Sequence, residues 1–151
     1  MEIAELEAEA AALVLGQFAE TDALRLGQIL TDMALTAVLP IVIDIRTSDR
    51  TLFHAALPGS APLNDLWARR KSNTSLRFQE ASLLVGTRHR EKGETLAKHG
   101  LDSAEFADHG GAVPIRVRGV GVVAVATVSG LPQVEDHQLV VRGLRQFMAT
   151  P

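Results

Sequence analysis

The segment from Gly121 to Ser129, GVVAVATVS, constrains the fold more than any other part of the sequence. Its apolar residues fall on both faces, whereas a strand with one face in water alternates apolar and polar residues. The preceding AVPIRVR does alternate, with Val113, Ile115 and Val117 on one face. Gly119-Val120 between them has the Gly-X form of a two-residue hairpin turn. We therefore predict two antiparallel strands in a sheet that helices cover on both faces.

The rest of the pattern predicts one more hairpin and five helices. The pattern predicts strands in IVIDIR and TLFHAAL, on either side of the turn residues Thr47 to Arg50. Helices are expected over about 2–15, 21–37, 63–78 and 81–91 and after Pro132, and a short helical turn is expected to end at Gly110. The predicted fold class is α/β (α+β), with three α/β/α layers and a mainly antiparallel sheet.

The composition excludes several classes of protein. The 151 residues contain no cysteine, so disulfides and thiolate chemistry are excluded, and no apolar run is long enough to span a membrane. The net charge of -3 and the lack of a basic block argue against a nucleic-acid partner. The acidic amino terminus differs from a secretory signal. We expect one cytoplasmic domain covering residues 1–151.

The glycines read mainly as turn residues rather than as a phosphate-binding loop. Gly119 and Gly121 precede a strand instead of opening a helix, and no G-x-x-x-x-G-K-[ST] segment is present. No histidine pair has the i, i+4 spacing of a helical metal site, and His89 and His99 are expected to be ordinary surface residues. The sequence therefore predicts neither a nucleotide fold nor a dedicated metal site.

The predicted third helix has two arginines on an apolar face. One face at helical spacing contains Leu63, Trp67, Thr74 and Phe78. The same face also carries Arg70 and Arg77. Burying an unpaired charge costs several kcal/mol, so each guanidinium needs a partner. One possibility is that the arginines extend to solvent or pair with carboxylates at a subunit contact, and Asp44 is the foremost carboxylate within the chain for Arg70. The other is that they bind a carboxylate or phosphate ligand.

Three polar residues in predicted buried elements are candidates for catalysis: His54, His137 and Asp44. His54 and Asp44 lie on the two strands of the first hairpin, and Asp44 shares a face with Arg46. His137 lies in the first turn of the last helix, in register with apolar residues, where a neutral imidazole is expected. Each is also compatible with a purely structural role, as a satisfied core histidine or a buried ion pair.

Segments across most of the chain resemble a known family. PIVIDIR, LFHAALPG, NDLWARRKSN, HGGAVPIRVRGVG and VSGLPQVEDHQLVV are similar to the uncharacterised bacterial and fungal family related to haem-degrading domains, whose relatives include HbpS, GlcG and the C-terminal domain of PduO-type proteins. The resemblance implies a profilin-like fold, with five antiparallel strands and helices on both sides. It also implies assembly into dimers or larger rings, and haem binding by some relatives.

Three hypotheses for the function follow. The first is a homo-oligomeric protein that binds haem or another anionic small molecule near the Gly110-Gly111 turn. Its expected ligand contacts are Trp67, Arg70, Arg77, His109, Gly110, Gly111 and Arg116. The second is an enzyme that acts on a small carboxylate or phosphate with His54 or His137 as acid or base. The third is a structural protein without small-molecule chemistry.

Overall fold

A five-stranded sheet forms the centre of the computed structural model, which describes residues 1–150. The strands are β1 (Val14–Leu15), β2 (Val42–Arg46), β3 (Thr51–Ala56), β4 (Ala112–Val117) and β5 (Gly121–Ser129). Their spatial order is β1-β4-β5-β2-β3. Only β1 pairs in parallel, with β4, and the other neighbours are antiparallel. The predicted sheet of five mainly antiparallel strands is confirmed.

Five α-helices surround the sheet. They are α1 (Ile3–Ala12), α2 (Glu20–Thr36), α3 (Pro62–Phe78), α4 (Ser82–Lys92) and α5 (Gln133–Ala149), and a short 3-10 helix covers Leu96–His99. Helices α2 and α5 pack against each other on one face of the sheet, and α3 packs over β4, β5 and β2. Within residues 1–150, no helix combines the length and apolar character needed to cross a membrane.

Strand β5 has helices on both sides, as its sequence predicts. Ala126 and Val128 belong to the apolar core beneath α2 and α5. Thr127 points the other way, where its hydroxyl lies 2.8 Å from that of Ser72 in α3. Both Ala126 and Thr127 are fully buried. The α/β/α layering is therefore confirmed, and the layer under α3 is the more polar of the two.

The face of α3 that packs on the sheet is distinct from the apolar stripe through Trp67. Its buried residues are Ala68, Lys71, Ser72, Thr74 and Ser75. Leu63, by contrast, is 62% exposed. Small side chains let the helix approach the sheet closely, and this outweighs the apolar stripe through Trp67. The apolar stripe that also bears Arg70 and Arg77 therefore lies largely outside the packed face.

Local boundaries differ from expectation at three places. The first helix ends at Ala12, because Val14–Leu15 pairs with β4 instead of extending the helix. The capped turn expected before Gly110 spans Asp102 to Phe106 and so ends earlier than predicted. The β4–β5 connection has three residues, since Val117 pairs with Gly121. In the first case a tertiary pairing overrides helix propensity.

Candidate functional site

A cleft of about 260 Å³ opens between the start of α3 and the start of α5. We call it the α3–α5 cleft. The loop before β4 and the end of β5 complete its walls. The residues that line it are Asn64, Trp67, Lys71, His109, Gly110, Ser129, Gly130, Leu131, Gln133 and Asp136.

Lys71 forms the floor of the α3–α5 cleft and is only 3% exposed. Its ammonium group donates to the carbonyl oxygens of Gly110 at 3.0 Å and Val128 at 2.9 Å, and to Asp136 Oδ2 at 3.0 Å. These bonds use all three of its donors. Burial lowers the pKa of Lys71, although the charge and hydrogen bond of Asp136 oppose that shift. Lys71 therefore holds the cleft together and has no donor left for a ligand.

Asp136 joins the two loops at the cleft. Its Oδ1 accepts a hydrogen bond from the backbone N–H of Leu131 at 2.9 Å, while its other oxygen contacts Lys71. Burial raises the pKa of Asp136, and the ammonium of Lys71 opposes this. Gln133 Oε1 accepts a bond from the N–H of Gly110 at 2.9 Å. The start of α5 thus fixes both the loop before it and the loop before β4.

Gly111 is required by the close packing behind the cleft. Its φ of 139° is a conformation that residues with a side chain rarely adopt. A Cβ atom there would lie 2.4 Å from the carbonyl oxygen of Val128 and 2.5 Å from Lys71 Nζ. The double glycine therefore lets the backbone pass over the buried ion pair.

The mouth of the α3–α5 cleft brings together an aromatic ring, an imidazole and a guanidinium. The rings of Trp67 and His109 meet edge to face, with centroids 5.3 Å apart. The guanidinium carbon of Arg70 lies 4.4 Å from the Trp67 ring centroid, and its Nε donates to the Ser103 carbonyl oxygen at 2.9 Å. This arrangement can contact an anion through Arg70 and a planar group through Trp67.

His109 is the half-exposed imidazole at the mouth of the α3–α5 cleft. Its side chain is 50% exposed. Burial lowers its pKa below the ordinary value of 6.5, and the positive charges of Arg90, Lys71 and Arg70 act in the same direction against the opposing charge of Asp108. The imidazole is therefore neutral near pH 7 and offers a nitrogen lone pair.

The other two predicted arginines lie outside the cleft. Arg77 stacks over Phe106 at 5.0 Å. Arg116 donates to the carbonyl oxygen of Gln79 at 2.9 Å. Of the predicted contacts, Trp67, His109 and Gly110 line the cleft. Arg70 lies beside it against Trp67 and Gly111 packs behind it, whereas Arg77 and Arg116 lie elsewhere.

A second polar group, the Asp44 cluster, consists of Asp44, Arg46, His54 and Asp65. The buried carboxylate of Asp44 contacts Arg46 Nε at 2.7 Å and His54 Nδ1 at 2.9 Å. Of the two partners expected for Asp44, Arg46 or an arginine of the third helix, the structure shows Arg46, which lies next to it on the same strand face. His54 Nε2 contacts Asp65 Oδ1 at 2.7 Å. Burial works to lower the pKa of His54, but hydrogen bonds and charges from both carboxylates outweigh it and raise that pKa above 6.5.

The third candidate for catalysis lies away from both groups. His137 is 1% exposed, and its Nε2 contacts Glu9 Oε1 of α1 at 2.5 Å. Its Nδ1 is buried and has no hydrogen-bond partner within the described residues. The structure therefore brings His54 and Asp44 together but separates His137 from them.

Two histidines expected at the surface form a contact instead. His89 is 5% exposed, and its Nε2 lies 3.1 Å from that of His99. The expectation that both are ordinary surface residues is wrong for His89, because the segment before Gly110 covers it through Asp108. Among the residues described, no three His, Cys, Asp or Glu side chains are grouped so as to hold a metal ion.

Sequence comparisons identify the family. Residues 18–145 match the family described as haem degrading protein HbpS-like. A UPF0303 protein of Streptomyces coelicolor is 50% identical over 147 residues, which cover 97% of this chain and 93% of the relative. A UPF0303 protein of Streptomyces avermitilis is 49% identical over 150 residues, which cover 99% and 92% of the two chains.

Solved structures show the same fold. The Ybr137w protein superposes with a TM-score of 0.89 at 35% identity, covering 99% of this chain and 88% of that one. HbpS gives 0.69 at 16% identity, covering 86% and 89%. The PduOC:Heme complex gives 0.71 at 15% identity, covering 85% and 93%. The last two likenesses show the fold alone. The chain belongs to the HbpS-like family of haem degrading proteins.

Proposed function

We propose that this protein binds an anionic planar ligand, with haem as the leading example, at the mouth of the α3–α5 cleft. The observation that carries the proposal is the grouping of Trp67, Arg70 and His109 at that mouth. Haem iron takes an imidazole as an axial ligand, and its propionates pair with guanidinium groups. The family match and the haem complex of PduOC point to the same ligand class.

The side chains at the mouth have the chemistry that such a ligand needs, but the cleft is too small to enclose the whole ligand. His109 offers a neutral imidazole, Arg70 a cation and Trp67 an apolar ring. The cleft measures about 260 Å³, whereas sites that enclose a drug-sized ligand measure roughly 300–1,000 Å³. The cleft therefore receives an edge of a tetrapyrrole, and a second copy of the chain would cover the remainder.

The structure favours binding over acid–base catalysis for a specific reason. Both ring nitrogens of His54 are engaged by carboxylates, and Nε2 of the buried His137 is engaged by Glu9. A general base needs a nitrogen within reach of the substrate proton. His54 therefore has no free ring nitrogen, and the one left on His137, Nδ1, is buried.

Haem titration followed by absorbance tests the proposal. Wild type should give a Soret band shifted from that of free haemin, and His109→Gln should lose the shift because the axial nitrogen is gone. Arg70→Lys should weaken binding roughly ten- to a hundredfold, since lysine cannot form the bidentate contact. His54→Gln, which lies outside the cleft, is the matched control. A His109→Gln spectrum identical to that of wild type would show that the site is wrongly placed.

Homo-oligomerisation belongs to the same proposal. Leu63 and Leu66 in the first turn of α3 are 62% and 58% exposed. They flank Trp67, so a second chain packed on them would cover the ligand. Light scattering should show a dimer or larger symmetric assembly, and Leu66→Glu should shift it toward monomer. A wild-type monomer at micromolar concentration would contradict this part.

A further inference from the structure

His89 and His99 face each other at the end of α4 and in the 3-10 helix. We propose that their two Nε2 atoms form a binding site for a divalent late first-row transition metal, with Cu²⁺ or Zn²⁺ as the occupant. The site is separate from the α3–α5 cleft and goes beyond the proposed function. With two protein ligands, water molecules complete the coordination shell.

The distance between the two nitrogens suits a shared ion. Metal–nitrogen bonds to imidazole measure about 2.0–2.1 Å. The rings meet nearly head-on, with centroids 5.2 Å apart and planes 27° apart, so a tilt of the exposed His99 ring is needed before both nitrogens, now 3.1 Å apart, bind one ion at that length. The resulting nitrogen–metal–nitrogen angle is about 100°, which lies between the square and the tetrahedral values.

Asp108 orients the buried member of the pair. Its Oδ2 lies 2.8 Å from His89 Nδ1, so that nitrogen carries the proton and donates it. The lone pair of His89 is thereby left on Nε2, which faces His99. Carboxylates in this position are typical of histidine metal ligands, because they fix the ring and its tautomer.

The metal ion replaces the proton that lies between the two imidazole rings. Without metal, Nε2–H of His99 donates to Nε2 of His89, since His89 carries its own proton on Nδ1. His99 is exposed, so its Nδ1 can hold the remaining proton toward water when Nε2 binds the ion. The exposed ring also gives the ion a path from solvent.

The surroundings hold the two rings without adding strong repulsion. The ring of Phe78 meets both imidazoles edge to face, at 6.1 Å from His89 and 5.2 Å from His99. The nearby cleft measures about 220 Å³ and contains basic side chains. Lys98 is paired with Glu94 at 2.6 Å, and the other ion pair there joins Arg88 to Glu80. Much of the positive charge near the histidines is therefore balanced.

Calorimetric titration of the full chain with Cu²⁺ and with Zn²⁺ tests the site. One ion should bind per chain, and His99→Gln should lower its affinity more than tenfold. Because His99 is exposed, this change does not disturb the core. Asp108→Asn should lower affinity at least about tenfold through the lost orientation. His54→Gln is the matched control, since it removes a partly exposed histidine of the Asp44 cluster, and it should leave the affinity unchanged.

The electron paramagnetic resonance spectrum of the Cu²⁺-loaded protein gives an independent reading. Wild type should show coupling to two imidazole nitrogens and His99→Gln to one. Equal affinity of wild type and His99→Gln, or coupling to a single nitrogen in wild type, would overturn the proposal. Haem binding does not use either histidine, so the proposed function is tested separately.

Discussion

Replacing Lys71 by methionine is the sharpest test of how the α3–α5 cleft is held together. Methionine has a similar length but no charge, so it fills the space and removes the ammonium. The change leaves Asp136 buried without its cation and leaves the carbonyl oxygens of Gly110 and Val128 without their donor. The fold should persist, but its stability should fall.

The magnitude follows from those lost contacts. Removing one partner of a buried ion pair costs about 3–5 kcal/mol, because an uncompensated charge remains. For a chain of this length each kcal/mol lowers the melting temperature by roughly 2–4 °C, so we expect a drop of about 6–20 °C. The double variant Lys71→Met/Asp136→Leu should recover part of it, since the orphan carboxylate is gone.

The loss should also depend on pH. Burial already raises the pKa of Asp136 above 3.8 with Lys71 present, and the variant removes an opposing influence. The folded-state pKa of Asp136 then lies further above its unfolded value, so protonation favours the folded variant. The destabilisation should therefore shrink as the pH falls through that folded-state pKa.

Thermal melts of wild type, the single variant and the double variant, followed by circular dichroism between about pH 4 and 8, measure these effects. A single variant as stable as wild type at neutral pH would refute the view that Lys71 is the structural centre of the cleft. A loss that does not change with pH would refute the assignment of its cause to Asp136.

Two further predictions concern other parts of the same layer. Asp65→Asn should lower the pKa of His54, measured by NMR titration, because one of the two carboxylates that raise it is neutralised. A raised histidine pKa gives stability that is present below pH 6.5 and lost as the pH rises through the folded-state pKa, so the variant should lose stability mainly on the acid side. An unchanged titration of His54 would contradict its contact with Asp65. Gly111→Ala should lower the free energy of unfolding by at least about 1–3 kcal/mol, because of its positive φ and the contact of the new Cβ with Val128. Gly16→Ala, where a Cβ meets open space, should be nearly neutral. Equal costs would show that the packing around Gly111 is looser than described.

The sheet was predictable from the sequence because its pattern is local. The apolar residues on both faces of β5 require two covering layers. The alternation in β4 shows which face of that neighbouring strand is apolar. The strand β1 was not predictable, because two residues are too few to show a periodicity. Val14 pairs with β4 only once the chain has folded. Its neighbour in space lies about a hundred residues away along the chain.

The cleft was predictable only in part. Trp67, Arg70 and His109 stood out as unusual side chains, and the double glycine stood out as a turn. Lys71 was missed because a lysine is ordinarily solvent-exposed. Its signal lies in its neighbours: Ala68, Ser72 and Ser75 are small residues at helical spacing around it, and such a stripe is typical of a face that packs closely.

The strand order also determines how the chain must assemble its sheet during folding. The hairpins β2–β3 and β4–β5 each form from neighbouring residues, whereas β2 and β5 join Val42 to Ser129. Closing that long loop costs entropy before any contact rewards it. We therefore expect two hairpins to form early and their docking to limit the folding rate.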